Sequence, residues 1–270
     1  MIYAAFSVYL LGIFFAGRGI YRLWADIVKP RAVNWALLPG TVVSQMAYIF
    51  GCLITGGEVR RAKLIGAAGN AGRGKSAPSA SEPTTEAAPK LRHIGPIVAA
   101  FCCIVACAVG IIVAHALLGE PVITTFVNGE GFLAAAAALP KALPATASGF
   151  WDQIHAHVDL IRRAAAACTE LDWLDWRVPL FVYLATCLSI RLAPVSRSLR
   201  ATLGAVVALA AIIAVVGLIW QRFDRLMDSL WPLVTYVWSS LLLLLMLTLI
   251  ARGIVSLVQA LLEKKTPPAR

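Results

Sequence analysis

Charge is scarce in this chain: Asp, Glu, Lys and Arg make up 14% of 270 residues, against 60% hydrophobic, with a mean hydropathy of +0.79. A soluble domain carries roughly a quarter of its residues as charges, so the composition argues against a water-coated globule and for lipid as the solvent. Alternating apolar and polar residues are missing as well. The apolar runs are long and continuous, which argues against a lipid-facing barrel and for helices, whose backbone groups are satisfied within each segment. A disulfide framework is also lacking. Of six cysteines, Cys52, Cys102, Cys103, Cys107 and Cys187 fall inside apolar runs, leaving Cys168 outside, so they read as small, soft packing residues.

The hydrophobic pattern predicts an all-α integral membrane protein, a bundle of about six transmembrane helices with an amphipathic surface helix between spans three and four. Spans one (2–23) and two (35–55) occupy residues 1–65, and a Gly/Ser/Pro/Ala-rich flexible linker covers 66–92. Span three follows within 93–118. An extramembrane or interfacial segment, 119–177, holds Pro140, Pro144 and a helix over 150–168. On that helix Ile154, Val158 and Ile161 recur at helical spacing among Asp152, Asp159, Arg162 and Arg163, which predicts an apolar face on the bilayer or on the bundle. Spans four to six fill 178–251, and 252–270 is a basic tail. Span one lacks the basic start and small-residue cleavage site of a signal peptide, so it is expected to remain in the mature protein.

The net charge of +10 would suggest nucleic acid in a soluble protein, but here the bases flank apolar spans, where topology and anionic lipid account for them. The expected partners are the bilayer and other membrane proteins, with no nucleic acid. With both termini inside, 14 of the 24 Lys and Arg residues lie in or beside inner loops, among them Arg60, Arg61, Lys63, Arg197 and Arg200. Alanine-rich composition and the lack of eukaryotic targeting signals point to a bacterial inner membrane, with both termini cytoplasmic. Arg18, Arg191, Arg222 and Arg252 sit at span ends, where long side chains reach the interface. No charge is expected near a span centre, which disfavours a transporter.

The string from Gly69 to Ser76, with Gly74 and Lys75, satisfies G-x-x-x-x-G-K-S letter for letter. A phosphate cradle needs a buried strand before it and a helix after it, so that backbone amides converge on the phosphates. The APSASEPTTEAAP that follows will not make that helix, and no nucleotide or other cofactor is expected. His155 and His157 form an H-x-H pair that a helix would splay, so no metal site is expected there. Cys102, Cys103 and Cys107 cluster in span three, where packing is the plainer reading. Trp173 and Trp176, spaced among Glu170, Asp172 and Asp175, read as interfacial anchors and, alternatively, as a partner-binding surface.

The segment LLPGTVVSQMAYIFGCLITGGEVRRAKL, Leu37 to Leu64, resembles the zinc-binding helix of membrane-embedded metalloproteases of the site-2 protease type. In that family a Pro-Gly entrance leads into H-E-x-x-H, where two histidines grip zinc and the glutamate activates the metal-bound water. Here Ser44, Gln45 and Tyr48 stand at those three positions. A second echo, YLATCLSIRLAPVSRSLRATL, places Ser198 about where the family carries an aspartate as third ligand. Neither ligand set nor general base survives, so the resemblance implies an inactivated relative with no metal and no catalytic residues. The plainer reading of Ser44, Gln45 and Tyr48 is hydrogen-bonding between helices. The expected function is a non-catalytic scaffold, adaptor or accessory subunit of a membrane complex. An active zinc hydrolase with atypical ligands and a small-molecule transporter are the alternatives.

Overall fold

A computed structural model describes residues 2–28, 30–62, 85–88, 94–128, 139–140, 144, 146–192, 199–219 and 223–263. These fold into nine helices and one short ribbon: α1 (Ile2–Ile27), α2 (Pro30–Ala36), α3 (Leu38–Ile54), β1 (Glu58–Ala62), β2 (Thr85–Ala88), α4 (Gly95–Leu118), α5 (Glu120–Asn128), α6 (Ala147–Glu170), α7 (Arg177–Arg191), α8 (Leu199–Ile219) and α9 (Phe223–Glu263). The six expected spans fall on α1, α3, α4, α7, α8 and α9. Two helical stretches, Gly95–Leu118 and Asp228–Leu257, are long and apolar enough to cross a membrane; Leu38–Ile54 and Leu203–Gly217 are shorter apolar helices.

The helix ends follow local chemistry. Pro39 and Pro96 sit in the first turns of α3 and α4, where a missing N–H costs nothing. At the end of α3 the Gly56 backbone turns left-handed, φ 71°, and Gly57 N–H reaches back to the Cys52 carbonyl at 2.9 Å. Thr146 caps α6 by accepting the Gly149 N–H at 3.2 Å.

Small residues decide the packing. The α3–α4 pair is the most extensive helix contact, and a Cβ added at Gly51 would lie 2.6 Å from Ala99 Cα. Gly95, Ala99, Cys103 and Cys107 recur every four residues on the buried face of α4, the spacing that lets two backbones approach. Helix α7 closes against both: Gly40 of α3 abuts the Cys187 carbonyl, and a Cβ at Gly110 of α4 would meet Leu188 Cδ1 at 3.2 Å. Against this core α1 and α9 run parallel, tied by Trp24 Nε1 donating to Thr248 Oγ1 at 3.0 Å and by Arg252 to Asp26 at 2.9 Å.

Two expectations gain detail. The segment read as linker, 66–92, contributes β2, which pairs antiparallel with β1 in the register Glu58↔Ala88, Val59↔Ala87 and Ala62↔Thr85. The rest of it lies outside the described residues. Helix α6 is present, with Ile154 and Val158 exposed, as an apolar face laid on the bilayer and not on the bundle would be, while Leu160 and Ala164 are buried. The cause is polar: Gln153 Nε2 donates to Tyr9 Oη at 3.0 Å, and the His157 ring sits 6.1 Å from Tyr9 and 5.9 Å from Trp238. Those contacts turn the Gln153–His157–Leu160–Ala164 side of α6 toward the bundle. The same corner is closed by Leu139 and Pro140, whose carbonyls accept from Trp231 Nε1 at 3.0 Å and from Tyr9 Oη at 3.2 Å.

Candidate functional site

Ser44, Gln45 and Tyr48 share one face of α3 and are buried there: Ser44 is 9% exposed, Gln45 7% and Tyr48 8%. That face meets α4, where Cys103 Sγ donates to the Ser44 carbonyl at 3.2 Å. Tyr48 packs in a small cluster with Ala47, Cys52, Ala99 and Cys103. One turn further on, Gly51 brings the two backbones so close that an added Cβ would lie 2.6 Å from Ala99 Cα. Two cavities, of about 140 and 150 Å³, lie elsewhere: the first among α1, α4, α8 and α9, the second among α5, α6, α7 and α9. No group of three or more His, Cys, Asp or Glu side chains placed to hold a metal occurs among the described residues. Ser198 and the string from Gly69 to Ser76 lie outside them.

His155 and His157 are splayed on α6 as expected. Their Nδ1 atoms each face a backbone carbonyl one turn back, Trp151 at 2.8 Å and Gln153 at 2.5 Å.

The residue that sequence reasoning missed is Arg191. It was placed at a span end with its guanidinium at an interface, yet it is 6% exposed in the last turn of α7. Its Nη2 donates to Asn34 Oδ1 of α2, and its guanidinium lies 4.7 Å over the Tyr21 ring of α1. Tyr21 Oη donates to the same Asn34 oxygen at 3.1 Å. Arg191 is also within electrostatic reach of Cys107, in the middle of the 24-residue α4. A buried guanidinium requires hydrogen bonds and a polarisable face, and Asn34 and Tyr21 supply them.

Arg191 belongs to a stripe. Tyr183, Cys187 and Arg191 stand four residues apart on α7, one above the other. Tyr183 Oη donates to the Ala36 carbonyl at 2.9 Å, and Cys187 Sγ approaches the same oxygen at 3.7 Å. Together the three hold the point at Leu37 where α2 gives way to α3. The signal that could have found this cluster is the isolated Asn34 ahead of Pro39, a polar residue with no local reason to be in an apolar stretch.

Trp173 and Trp176 lie on the turn between α6 and α7, both exposed, with Leu174 between them almost fully so. Trp173 Nε1 donates to the Cys168 carbonyl at 2.8 Å, and the Asp172 and Asp175 carboxylates accept the backbone N–H groups of Leu174 and Arg177, both at 3.1 Å. The Trp173 indole is therefore fixed in place, and the Arg177 guanidinium lies 5.8 Å over the Trp176 ring. Cys168, at the rim of the second cavity, is the exposed cysteine; Cys52, Cys103, Cys107 and Cys187 are buried. Partial burial pushes the Cys168 thiol above its ordinary range. Its thiolate fraction is thus lower than that of a free cysteine at neutral pH, and its alkylation rate should keep rising as pH increases past 9. In iodoacetamide labelling of folded protein, Cys168→Ser should remove most of the signal. Comparable labelling of that variant and wild type would contradict the burial pattern.

The chain matches no known protein family, no curated protein and no solved structure.

Proposed function

We propose that this chain is an integral membrane protein of about six spans that works without catalysis, as a scaffold or accessory subunit shaped like a membrane metalloprotease. The observation that carries this reading is the closure of the Ser44–Gln45–Tyr48 face by α4, which commits those side chains to helix packing. Lipid as the surrounding solvent is supported by the outward apolar belt: Met46, Phe50 and Leu53 on α3, Val109 and Val113 on α4, and Ile250 on α9 are all exposed. In water such a belt would drive aggregation. The inner bacterial membrane is the location that the distribution of basic residues favours. Because α1 and α9 run parallel, the start of α1 and the end of α9 fall on opposite sides of the bundle and not on the shared side expected from the charge count.

Metal analysis of detergent-purified protein tests the central point. Wild type and Ser44→Ala/Tyr48→Ala are both expected to hold zinc well below one equivalent, with a lower unfolding midpoint in the variant because Tyr48→Ala opens a cavity in a buried cluster. A full equivalent of zinc in wild type, lost in the double variant, would mean that the face is a working metal site.

A transporter is the second reading, favoured by one observation. The expectation of uncharged span centres does not hold for Arg191, and a buried cation at the depth of the α4 midpoint is the usual mark of a polar pathway. Solute uptake into proteoliposomes that disappears in Arg191→Met would establish it over the scaffold.

A further inference from the structure

The cavity among α5, α6, α7 and α9 has a volume of about 150 Å³, and no charged side chain lines it among the described residues. Val122, Ala164, Val182, Leu243 and Leu247 are among its apolar wall. Two of its hydroxyls have their protons committed within α9: Ser239 Oγ donates to the Tyr236 carbonyl and Ser240 Oγ to the Val237 carbonyl, both at 3.0 Å. Tyr236 is different. It is 8% exposed, its side chain lines the cavity, and among the described residues its hydroxyl has no hydrogen-bond partner.

Two aromatic rings hold that side chain in place. Phe181 stacks on the Tyr236 ring with centroids 5.6 Å apart, and Phe126 meets it edge-on at 5.4 Å. The hydroxyl lies within electrostatic reach of the Cys168 thiol at the rim, so it faces the cavity. A buried phenol ordinarily finds an acceptor, because an unmet O–H costs its desolvation. Here the acceptor has to come from whatever fills the cavity.

The wall limits what that is. An uncharged lining gives a phosphate or ammonium headgroup nothing to pair with, so the ligand is neutral. Its size is that of one six-membered ring, since an apolar cavity of roughly 150 Å³ holds benzene. A hydrocarbon ring would fill the space and leave the phenol unmet, whereas a ring carbonyl satisfies it. We infer that this cavity binds the head ring of a lipid-soluble quinone, with one carbonyl accepting from Tyr236 Oη and the tail leaving by the rim beside Cys168. Binding is reversible and makes no bond to the thiol. Helices α3 and α4 contribute nothing to this wall, so the site goes beyond the scaffold reading and does not depend on the Ser44 face.

Cys168 reports occupancy, because it is exposed and stands at the rim. With the full chain in detergent, a fully substituted benzoquinone carrying a short alkyl tail should slow iodoacetamide labelling of Cys168 saturably. An alkylbenzene of the same size and tail should need about five- to tenfold higher concentration, the worth of one hydrogen bond. Tyr236→Phe keeps the ring and removes the donor, so it should weaken quinone protection to the level of the alkylbenzene. Ala167→Leu, which fills the cavity from α6, should abolish protection by both while the helical circular dichroism stays that of wild type. Equal protection by quinone and alkylbenzene in wild type would mean that water meets Tyr236, and the inference would be wrong. Absence of saturable protection would overturn it too. The zinc measurement above separates the two readings: zinc at the Ser44 face together with a quinone preference defeats the scaffold alone, and a zinc-free chain with no quinone preference defeats the quinone site alone.

Discussion

Asn34→Leu should destabilise the protein more than Arg191→Met does, and the double variant should recover much of the loss. Removing Asn34 leaves the Arg191 guanidinium and the Tyr21 hydroxyl buried without the oxygen that both donate to. Leaving a buried charge without its hydrogen-bond acceptor costs about 3 kcal/mol or more. Arg191→Met removes the charge itself and leaves only neutral polar groups short of a partner, at about 1–2 kcal/mol. Replacing both with apolar residues of similar volume restores a packed interior, which is often close to neutral. For a chain of this size, 3 kcal/mol corresponds to a fall in unfolding midpoint of about 6–12 °C. Thermal unfolding of the three variants in one detergent forms the cycle. Simple additivity of the two single changes would show that Arg191 and Asn34 are not coupled. Arg191→Lys is expected to rescue only partly, since an ammonium cannot donate in a plane while stacking on Tyr21.

Gly51→Val should be nearly as damaging, for a steric reason. A Cβ at this position would lie 2.6 Å from Ala99 Cα and 3.2 Å from Ala99 Cβ, so the obstacle is helix backbone and cannot rotate away. The α3–α4 pair would have to separate, at about 3 kcal/mol, with loss of the packing around Tyr48 and Cys103. Gly40→Ala should behave likewise, because the Cys187 carbonyl and Arg191 Cγ occupy the space. Gly19→Ala is the control: the nearest atom to its new Cβ is Leu245 Cδ1 at 3.9 Å, an ordinary contact. In a helix interior that change should be neutral or stabilising by up to about 1 kcal/mol. Equal losses for Gly19→Ala and Gly51→Val would show that glycine flexibility, and not close approach, governs this bundle.

The scaffold reading and the buried Arg191 cluster bear on each other. Tyr183, Cys187 and Arg191 grip α2 at Ala36 and Asn34, so α3 is anchored at its N-terminal end, and Cys103 of α4 meets it at Ser44.

Much of the secondary structure is written locally. Continuous apolar runs gave α3, α4, α8 and the central part of α9, and Pro39, Pro96, Gly56 and Gly57 marked where helices start and stop. The common face of Ser44, Gln45 and Tyr48 also follows from their spacing alone, because positions one turn apart on a helix point the same way. The strand pairing of Glu58–Ala62 with Thr85–Ala88 was not legible, since neither segment alternates or carries β-branched residues in number.

What the sequence determined by itself is therefore composition, helix positions and the common face of Ser44, Gln45 and Tyr48. What only the tertiary structure decided is which polar groups meet. Arg191 is buried because Asn34, 157 positions earlier, and Tyr21 come to it, and α6 turns Gln153 and His157 inward because Tyr9 and Trp238 receive them. Hydrophobic periodicity assigns each residue a side by its affinity for a uniform solvent. A hydrogen bond to a distant partner overrides that preference, and no local pattern records where the partner will be.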